Sequence, residues 1–290
     1  MEETWTILKV LQWTTSYFAG KGIEQPRASA EVLLAHVLGV ERIQLYLRHD
    51  EPLGAPDLSR FREAVRRRSA FEPTQYITGR QEFWSLDFEV TPAVLIPRPE
   101  TEVLVEKALE ILGGLPAAVL DIGTGSGAIA ISIARERPLA TVLAADKSFE
   151  ALVVARRNAL KHGVSGRVRF AAMDLFGGLD PRSARFDLIA SNPPYIGEDE
   201  ILDLQPEIAN YEPRTALEGG GRSGLGVIRK ILCEFDNFLR PGGSLLMEIG
   251  LGQAEILMRE RAQGSLPVDF EFIRDYCGVL RILRAKKSER

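Results

Sequence analysis

Cysteine and histidine are scarce in this 290-residue chain, and each shortage closes a line of chemistry. Cys233 and Cys277 lie far apart with no Cys-x-x-Cys spacing, so neither a disulfide framework nor a zinc site is suggested. The three histidines, His36, His49 and His162, show no metal-ligand spacing, so no metal is expected. No stretch approaches the roughly 20 uninterrupted apolar residues that span a bilayer. The opening MEETWTILKV lacks the basic start and apolar run of a signal peptide. A cytoplasmic location and no membrane partner are therefore expected. A basic excess is missing too: the net charge is −4, which argues against stable binding to long DNA. One local exception, Arg60, Arg62 and the run Arg66-Arg67-Arg68, reads either as a solvated helix face or as a docking surface. Nothing points to an oligomer, and a monomer is expected.

What is present is the balance of a globular protein, 45% hydrophobic and 26% charged. Its length suggests two domains of unequal size. Residues 1–75 read as a small helical domain. Trp5, Leu8 and Leu11 begin one amphipathic stretch closed by Gly20 and Gly22, and Ala28 to Leu38 form another before Gly39. A third runs from Leu58 to about Ala70, after a proline-rich loop. Residues 76–101 form a hairpin linker, in which Phe83, Leu86, Phe88 and Val90 alternate with polar residues before a proline-stiffened Leu95-Ile96-Pro97-Arg98-Pro99-Glu100-Thr101-Glu102. Residues 102–290 alternate helix and apolar strand. Strands are predicted at 117–122, 141–145, 168–172, 186–190, 244–249, 268–274 and 278–284, with a Pro-Gly-Gly turn leading into the fifth. The fold class is α/β, a mostly parallel Rossmann-like sheet with one antiparallel strand from the terminal pair.

The first of these strands runs into Asp121-Ile122-Gly123-Thr124-Gly125-Ser126-Gly127. Glycines let the backbone turn tightly and let a ligand approach it, and helix N-terminal amides beyond favour an electron-rich group. Asp146 ends the next strand 23 positions after Gly123, where a carboxylate can accept both hydroxyls of a ribose. This spacing serves dinucleotides and S-adenosylmethionine alike. Asp121 fits the second pattern, where it can face the cationic end of the ligand.

The fourth strand ends in Asn192-Pro193-Pro194-Tyr195, on the same sheet edge as the glycine loop. Two prolines fix two φ angles and remove two N–H donors, leaving the Asn192 amide oxygen and the Pro193 carbonyl as acceptors. A nitrogen conjugated to a carbonyl or an aromatic ring is a poor nucleophile. Two acceptors can hold its hydrogens and orient its lone pair toward a methyl group, and Tyr195 can stack on its plane. The pairing of this turn with the glycine loop favours S-adenosyl-L-methionine as cofactor. Asn192, Pro193 and Tyr195 are the candidate catalytic residues.

With these residues in view, the chain resembles the HemK/PrmC family of protein-(glutamine-N5) methyltransferases. The likeness also covers Ser29 to Gly39, Gln75-Tyr76-Ile77-Thr78-Gly79 and Pro97-Arg98-Pro99-Glu100-Thr101-Glu102. Asn-Pro-Pro-Tyr is shared with adenine-N6 DNA methyltransferases. The Pro-Arg-Pro-Glu segment is more specific, since relatives acting on a ribosomal protein have Pro-Arg-Ser-Pro there. The resemblance implies a class I methyltransferase sheet and a substrate, the Gly-Gly-Gln loop of class 1 peptide-chain release factors. It also implies that Asp174 and Leu175 lie near the adenine. Arg98 and Glu100 read as a surface ion pair in a stiff linker or as shapers of the substrate entrance. A nucleic-acid amino-methyltransferase, a ribosomal-protein methyltransferase and a non-catalytic scaffold are the competing readings.

Overall fold

Helix-forming patterns with clear stops shape the N-terminal region, which the computed structural model places in one unit running to Arg80 and taking in Gln205–Tyr211. The structure describes residues 4–183, 185–266 and 268–287. Thr6 caps α1 (Ile7–Gly20), its hydroxyl accepting from the Lys9 N–H, and Ile7, Val10, Leu11, Thr14 and Phe18 form the buried face. Pro26 opens α2 (Pro26–Leu38), and Gly39, at φ 66°, closes it. Then follow α3 (Arg42–Leu47), α4 (Ala55–Ser69) and α5 (Thr74–Thr78).

The sequence reading misses α3, whose capping box uses Glu41 and Gln44 in place of the usual hydroxyl, and the five-residue α5. It also starts α4 three residues late, because Pro56 sits in the first turn, where proline is tolerated. Glu31, buried on α2, ties this region together: Arg27 donates to it at 2.5 Å, Arg42 at 2.6 Å, and the Tyr46 hydroxyl also donates. Burial pushes its carboxyl up, but the hydrogen bonds from Arg42, Tyr46 and Arg27 outweigh this and hold it below the usual carboxylate range. The distant segment Gln205–Tyr211 is fastened within the same unit. Arg68 donates to Glu207 at 2.5 Å, the Tyr211 hydroxyl to the Ala70 carbonyl at 2.8 Å, and Gln205 to Glu24 at 3.0 Å.

From Gln81 the chain builds the second unit. A two-stranded hairpin, β1 (Arg80–Phe83) and β2 (Leu86–Glu89), turns through Trp84 and Ser85, both in the left-handed region at φ 53° and 55°. Glu102 accepts from the Trp84 backbone N–H at 2.8 Å and Glu136 from its indole N–H at 3.2 Å, which holds that strained turn in place. The main sheet follows in the order α6 (Glu102–Leu112), β3 (Ala117–Ile122), α7 (Ala128–Glu136), β4 (Ala140–Asp146), α8 (Phe149–Lys161), β5 (Val168–Ala172) and β6 (Phe186–Ser191). The chain continues through α9 (Pro206–Tyr211), α10 (Gly226–Glu234), β7 (Leu239–Glu248), α11 (Gln253–Ala262), β8 (Phe270–Arg274) and β9 (Leu280–Lys286).

Among the described residues the sheet has seven strands in the order β5-β4-β3-β6-β7-β9-β8, with β9 antiparallel to both neighbours. It is the class I methyltransferase sheet, mostly parallel with one antiparallel strand. Alternating side chains fill two cores: Val119, Val142, Leu188 and Leu246 on one face, and Leu120, Ile122, Ile189 and Met247 on the other. The Pro-Gly-Gly segment does not precede β7 as the sequence suggests but lies inside it. Leu239 pairs with Phe186 and Ser244 with Leu188, so residues 240–243 form a bulge in which Gly242 takes a positive φ of 77° and a Cβ on Gly243 would fall 3.1 Å from the Phe186 carbonyl. Among the described residues no helix is long and apolar enough to cross a membrane.

The chain winds outward from β3 to β5, then returns to place β6 on the other side of β3. Such a reversal opens a crevice beyond the strand ends. Parallel register sets Ile122 beside both Ala145 and Ser191, so Gly123, Asp146 and Asn192 emerge together at that crevice.

Candidate active site

Beyond β3 the backbone folds back on β4. The N–H groups of Gly123 and Thr124 both donate to the Ala145 carbonyl, at 2.8 and 2.9 Å. The loop then reaches Gly127, at φ 84°, where an added Cβ would stand 2.8 Å from Ile131 and 3.3 Å from Ala155. The positive φ favours glycine both here and at Gly125 (φ 56°), but a Cβ on Gly125 would meet nothing within 4 Å. Asp146 is fixed by the loop it faces, accepting from Gly125 N–H and Ser148 N–H, each at 2.9 Å. Asp121 is wholly buried behind the loop. One carboxylate oxygen accepts from the Thr124 hydroxyl at 2.6 Å and the Ala130 N–H at 3.2 Å, and the other has no partner among the described residues. Burial pushes its carboxyl up to about 7, against the pull of Thr124 and Ala130.

Across the crevice, the turn after β6 is held by its own network. The Ser191 hydroxyl donates to the Ile122 carbonyl at 2.8 Å, locking β6 to β3 at the point of exit. Asn192 Nδ2 donates to Thr101 Oγ1 at 3.0 Å, Thr101 donates to Glu248 Oε2 at 2.6 Å, and the Tyr195 hydroxyl donates to Glu248 Oε1 at 3.2 Å. Gln253 Nε2 grips the Tyr195 and Ser223 carbonyls, both at 2.8 Å. Gly224 runs so close to Tyr195 that a Cβ would lie 2.0 Å from its carbonyl oxygen. One cavity joins the two sides. Its wall includes Gly123, Thr124, Gly125, Ser126, Asp146, Asp174, Leu175, Asn192, Pro193 and Pro194.

Comparison with known proteins sharpens this geometry. Residues 9–79 match the family model described as the PrmC N-terminal domain, and residues 99–222 match the Methyltransferase small domain. A release factor glutamine methyltransferase of Geobacter sulfurreducens is 49% identical over 88% of both chains, and that of Chlorobaculum tepidum is 45% identical over 95% of both. The chain belongs to the release factor glutamine methyltransferase family. A solved methyltransferase from Pyrococcus furiosus shares the fold, with a TM-score of 0.52 and 23% identity, over 70% of this chain and 89% of that one.

The cofactor of this methyltransferase is S-adenosyl-L-methionine, and the residues present fit it. The free oxygen of Asp121 is an unfilled acceptor that a nearby cationic ligand group would stabilise as carboxylate. Gly125 leaves the loop backbone open to approach, and Leu175 is held in the cavity wall at a strained φ of 50°.

Not every sequence-predicted residue of this family member reaches the cavity. Asp121 and Gly127 lie outside its wall, as do Tyr195, Arg98 and Glu100. Burial and the neighbouring Glu248 push the Tyr195 phenol far above its ordinary value. Arg98 donates at 2.5 Å to Glu212, which is buried and also accepts from the Ile96 N–H, while Glu100 is exposed. Thr101 and Glu248 escape the sequence reading. The signal for Glu248 is a lone carboxylate in the apolar run Leu245-Leu246-Met247-Glu248-Ile249, at the end of the last parallel strand.

Proposed function

We propose that this chain methylates the side-chain amide nitrogen (N5) of the glutamine in the Gly-Gly-Gln loop of class 1 peptide-chain release factors. The observation that carries the reading is the state of Asn192. Its NH2 is tied to Thr101, while its amide oxygen accepts nothing among the described residues and stands in the cavity wall next to Pro193. An acceptor so placed suits a planar amide that arrives as a donor.

Bound S-adenosyl-L-methionine supplies an electrophilic methyl group. The glycine loop from Gly123 to Ser126, with Asp121 behind it, would hold the cofactor's charged end. Asp146 would hold its ribose hydroxyls, and Asp174 and Leu175 would flank its adenine. The Asn192 amide oxygen and the Pro193 carbonyl accept the two N–H bonds of the substrate amide, which draws electron density onto nitrogen and turns its lone pair toward the methyl group. Tyr195 supports the turn from behind. After transfer, the proton on nitrogen leaves to those acceptors or to water, and no histidine acts as base.

Residues 83 and beyond line the cavity, which supports a division of labour. In it the helical region up to about residue 75 recognises the substrate protein, 76–101 links, and 102–290 performs the chemistry. Arg98 acts through Glu212 on the loop that borders the cavity, and Glu100 stands free to meet substrate. The enzyme works as a cytoplasmic monomer without stable DNA binding.

The test is a radiolabelled methyl-transfer assay offering intact release factor, the same factor with its loop glutamine changed to glutamate, ribosomal proteins and DNA. Label is expected on the intact factor alone. Label on DNA or a ribosomal protein in its place would overturn the substrate assignment.

A further inference from the structure

We propose that Thr101 and Glu248 are positioning residues that fix which way the Asn192 amide faces, a reading that rests on the function proposed above. Met247 pairs with Ser191 in the parallel register of β7 and β6, so Glu248 and Asn192 stand side by side at the strand ends. Glu248 accepts the Thr101 hydroxyl at 2.6 Å and the Tyr195 hydroxyl at 3.2 Å. A threonine hydroxyl has one hydrogen. With that hydrogen directed at Glu248, Thr101 Oγ1 can only accept, and the only half of the Asn192 amide it can meet is the NH2. The oxygen is thereby left to the cavity. A flipped amide would set two acceptors against each other.

The alternative, that Glu248 serves stability, runs against its surroundings. Leu245, Leu246, Met247 and Ile249 are fully buried around it, and no cation among the described residues forms an ion pair with it. Arg281, whose charge favours the carboxylate, bonds to Asp275 at 3.5 Å, and the charge of Glu100 acts against it. An unpaired buried carboxylate costs stability. A carboxylate kept in such a place is better explained by the chain of hydrogen bonds it terminates.

The full-length enzyme tests this with four single variants and one double variant, read by kcat and KM for release factor, cofactor affinity by calorimetry, and melting temperature. Thr101→Val and Glu248→Met should each lower kcat about 10- to 100-fold, the scale on which supporting partners of active groups act. Cofactor affinity should stay within about twofold and the melting temperature within a few degrees. Thr101→Ser and Glu248→Gln, which keep the hydroxyl and an acceptor, should restore kcat to within about threefold. Combining Thr101→Val with Glu248→Met should cost no more than either alone, because both break one chain. Wild-type kcat in Thr101→Val and Glu248→Met would overturn the proposal, as would losses that track melting temperature and are not restored by serine or glutamine. Should the wild type label a different nitrogen, the functional reading alone fails, and the same variants decide the proposal on that nitrogen.

Discussion

Glu31 in the helical unit and Glu248 in the sheet unit are each 1% exposed, yet their surroundings are opposite. Glu31 faces Arg27, Arg42 and a tyrosine hydroxyl, which hold its carboxyl below the ordinary range. Glu248 is met by two neutral hydroxyls, and burial pushes it up to about 7 against the pull of Thr101 and Arg281. A buried charge answered by cations fastens helices together. One left without an ion pair marks a site where stability has yielded to function. Asp121, also wholly buried and pushed up to about 7, falls on the same side as Glu248.

The widest separation between the two regions is expected from Asn192→Ala. It should lower kcat by about 10²–10³, as deletion of a single oriented group does elsewhere, while leaving melting temperature and most cofactor affinity intact. Retained turnover would remove the sheet unit's claim to the chemistry. Next in size, Asp146→Ala should weaken S-adenosylmethionine binding about 10- to 100-fold, the loss of a charge-assisted hydrogen bond worth about 1.5–3 kcal/mol. Unchanged calorimetric affinity would place the ribose elsewhere.

Glu31→Gln and Glu248→Gln should then move stability in opposite directions at pH 8, as followed by urea unfolding. The first removes a carboxylate held by two guanidinium groups and should cost about 1–3 kcal/mol, with turnover per folded molecule unchanged. The second removes an unpaired buried charge and should gain about 1–3 kcal/mol. The same sign for both would dissolve the contrast.

The smallest effect is in the pH dependence. Glu31, depressed in the folded protein, contributes stability that is present above its unfolded value near 4.5 and lost as pH falls below it. Glu248 and Asp121, raised to about 7, bind more protons folded than unfolded between their ordinary values and about 7. They therefore make unfolding harder as pH drops from 8 toward 5. Glu248→Gln should flatten that slope, and Glu31→Gln should flatten only the acid limb.

Local chemistry was legible in the sequence, and distant pairing was not. The glycine loop, Asp146 and Asn192 declare themselves because strand period and turn residues lie within a few positions of each other. The sheet, with its single antiparallel strand, follows from the same patterns. Thr101 stands 91 positions from Asn192 and 147 from Glu248, and Arg98 stands 114 from Glu212. No window of neighbouring residues holds those partners. An aromatic ring after two prolines suggests a stacking surface at Tyr195, but nothing near it in sequence shows that its hydroxyl bonds to Glu248, 53 positions on. The Pro-Gly-Gly of β7 looked like a turn because a bulge inside a parallel strand uses the same residues.

The fastening of Gln205–Tyr211 into the helical unit has a consequence for synthesis. Those residues follow Arg80 by 125 positions. At about 5–20 residues per second on the ribosome, they are made roughly 6–25 s after the helices they join. Throughout that interval Arg68, 3% exposed in the finished protein, has no Glu207 to meet. The helical unit is thus completed only after four of the seven strands of the sheet that follows it have been translated.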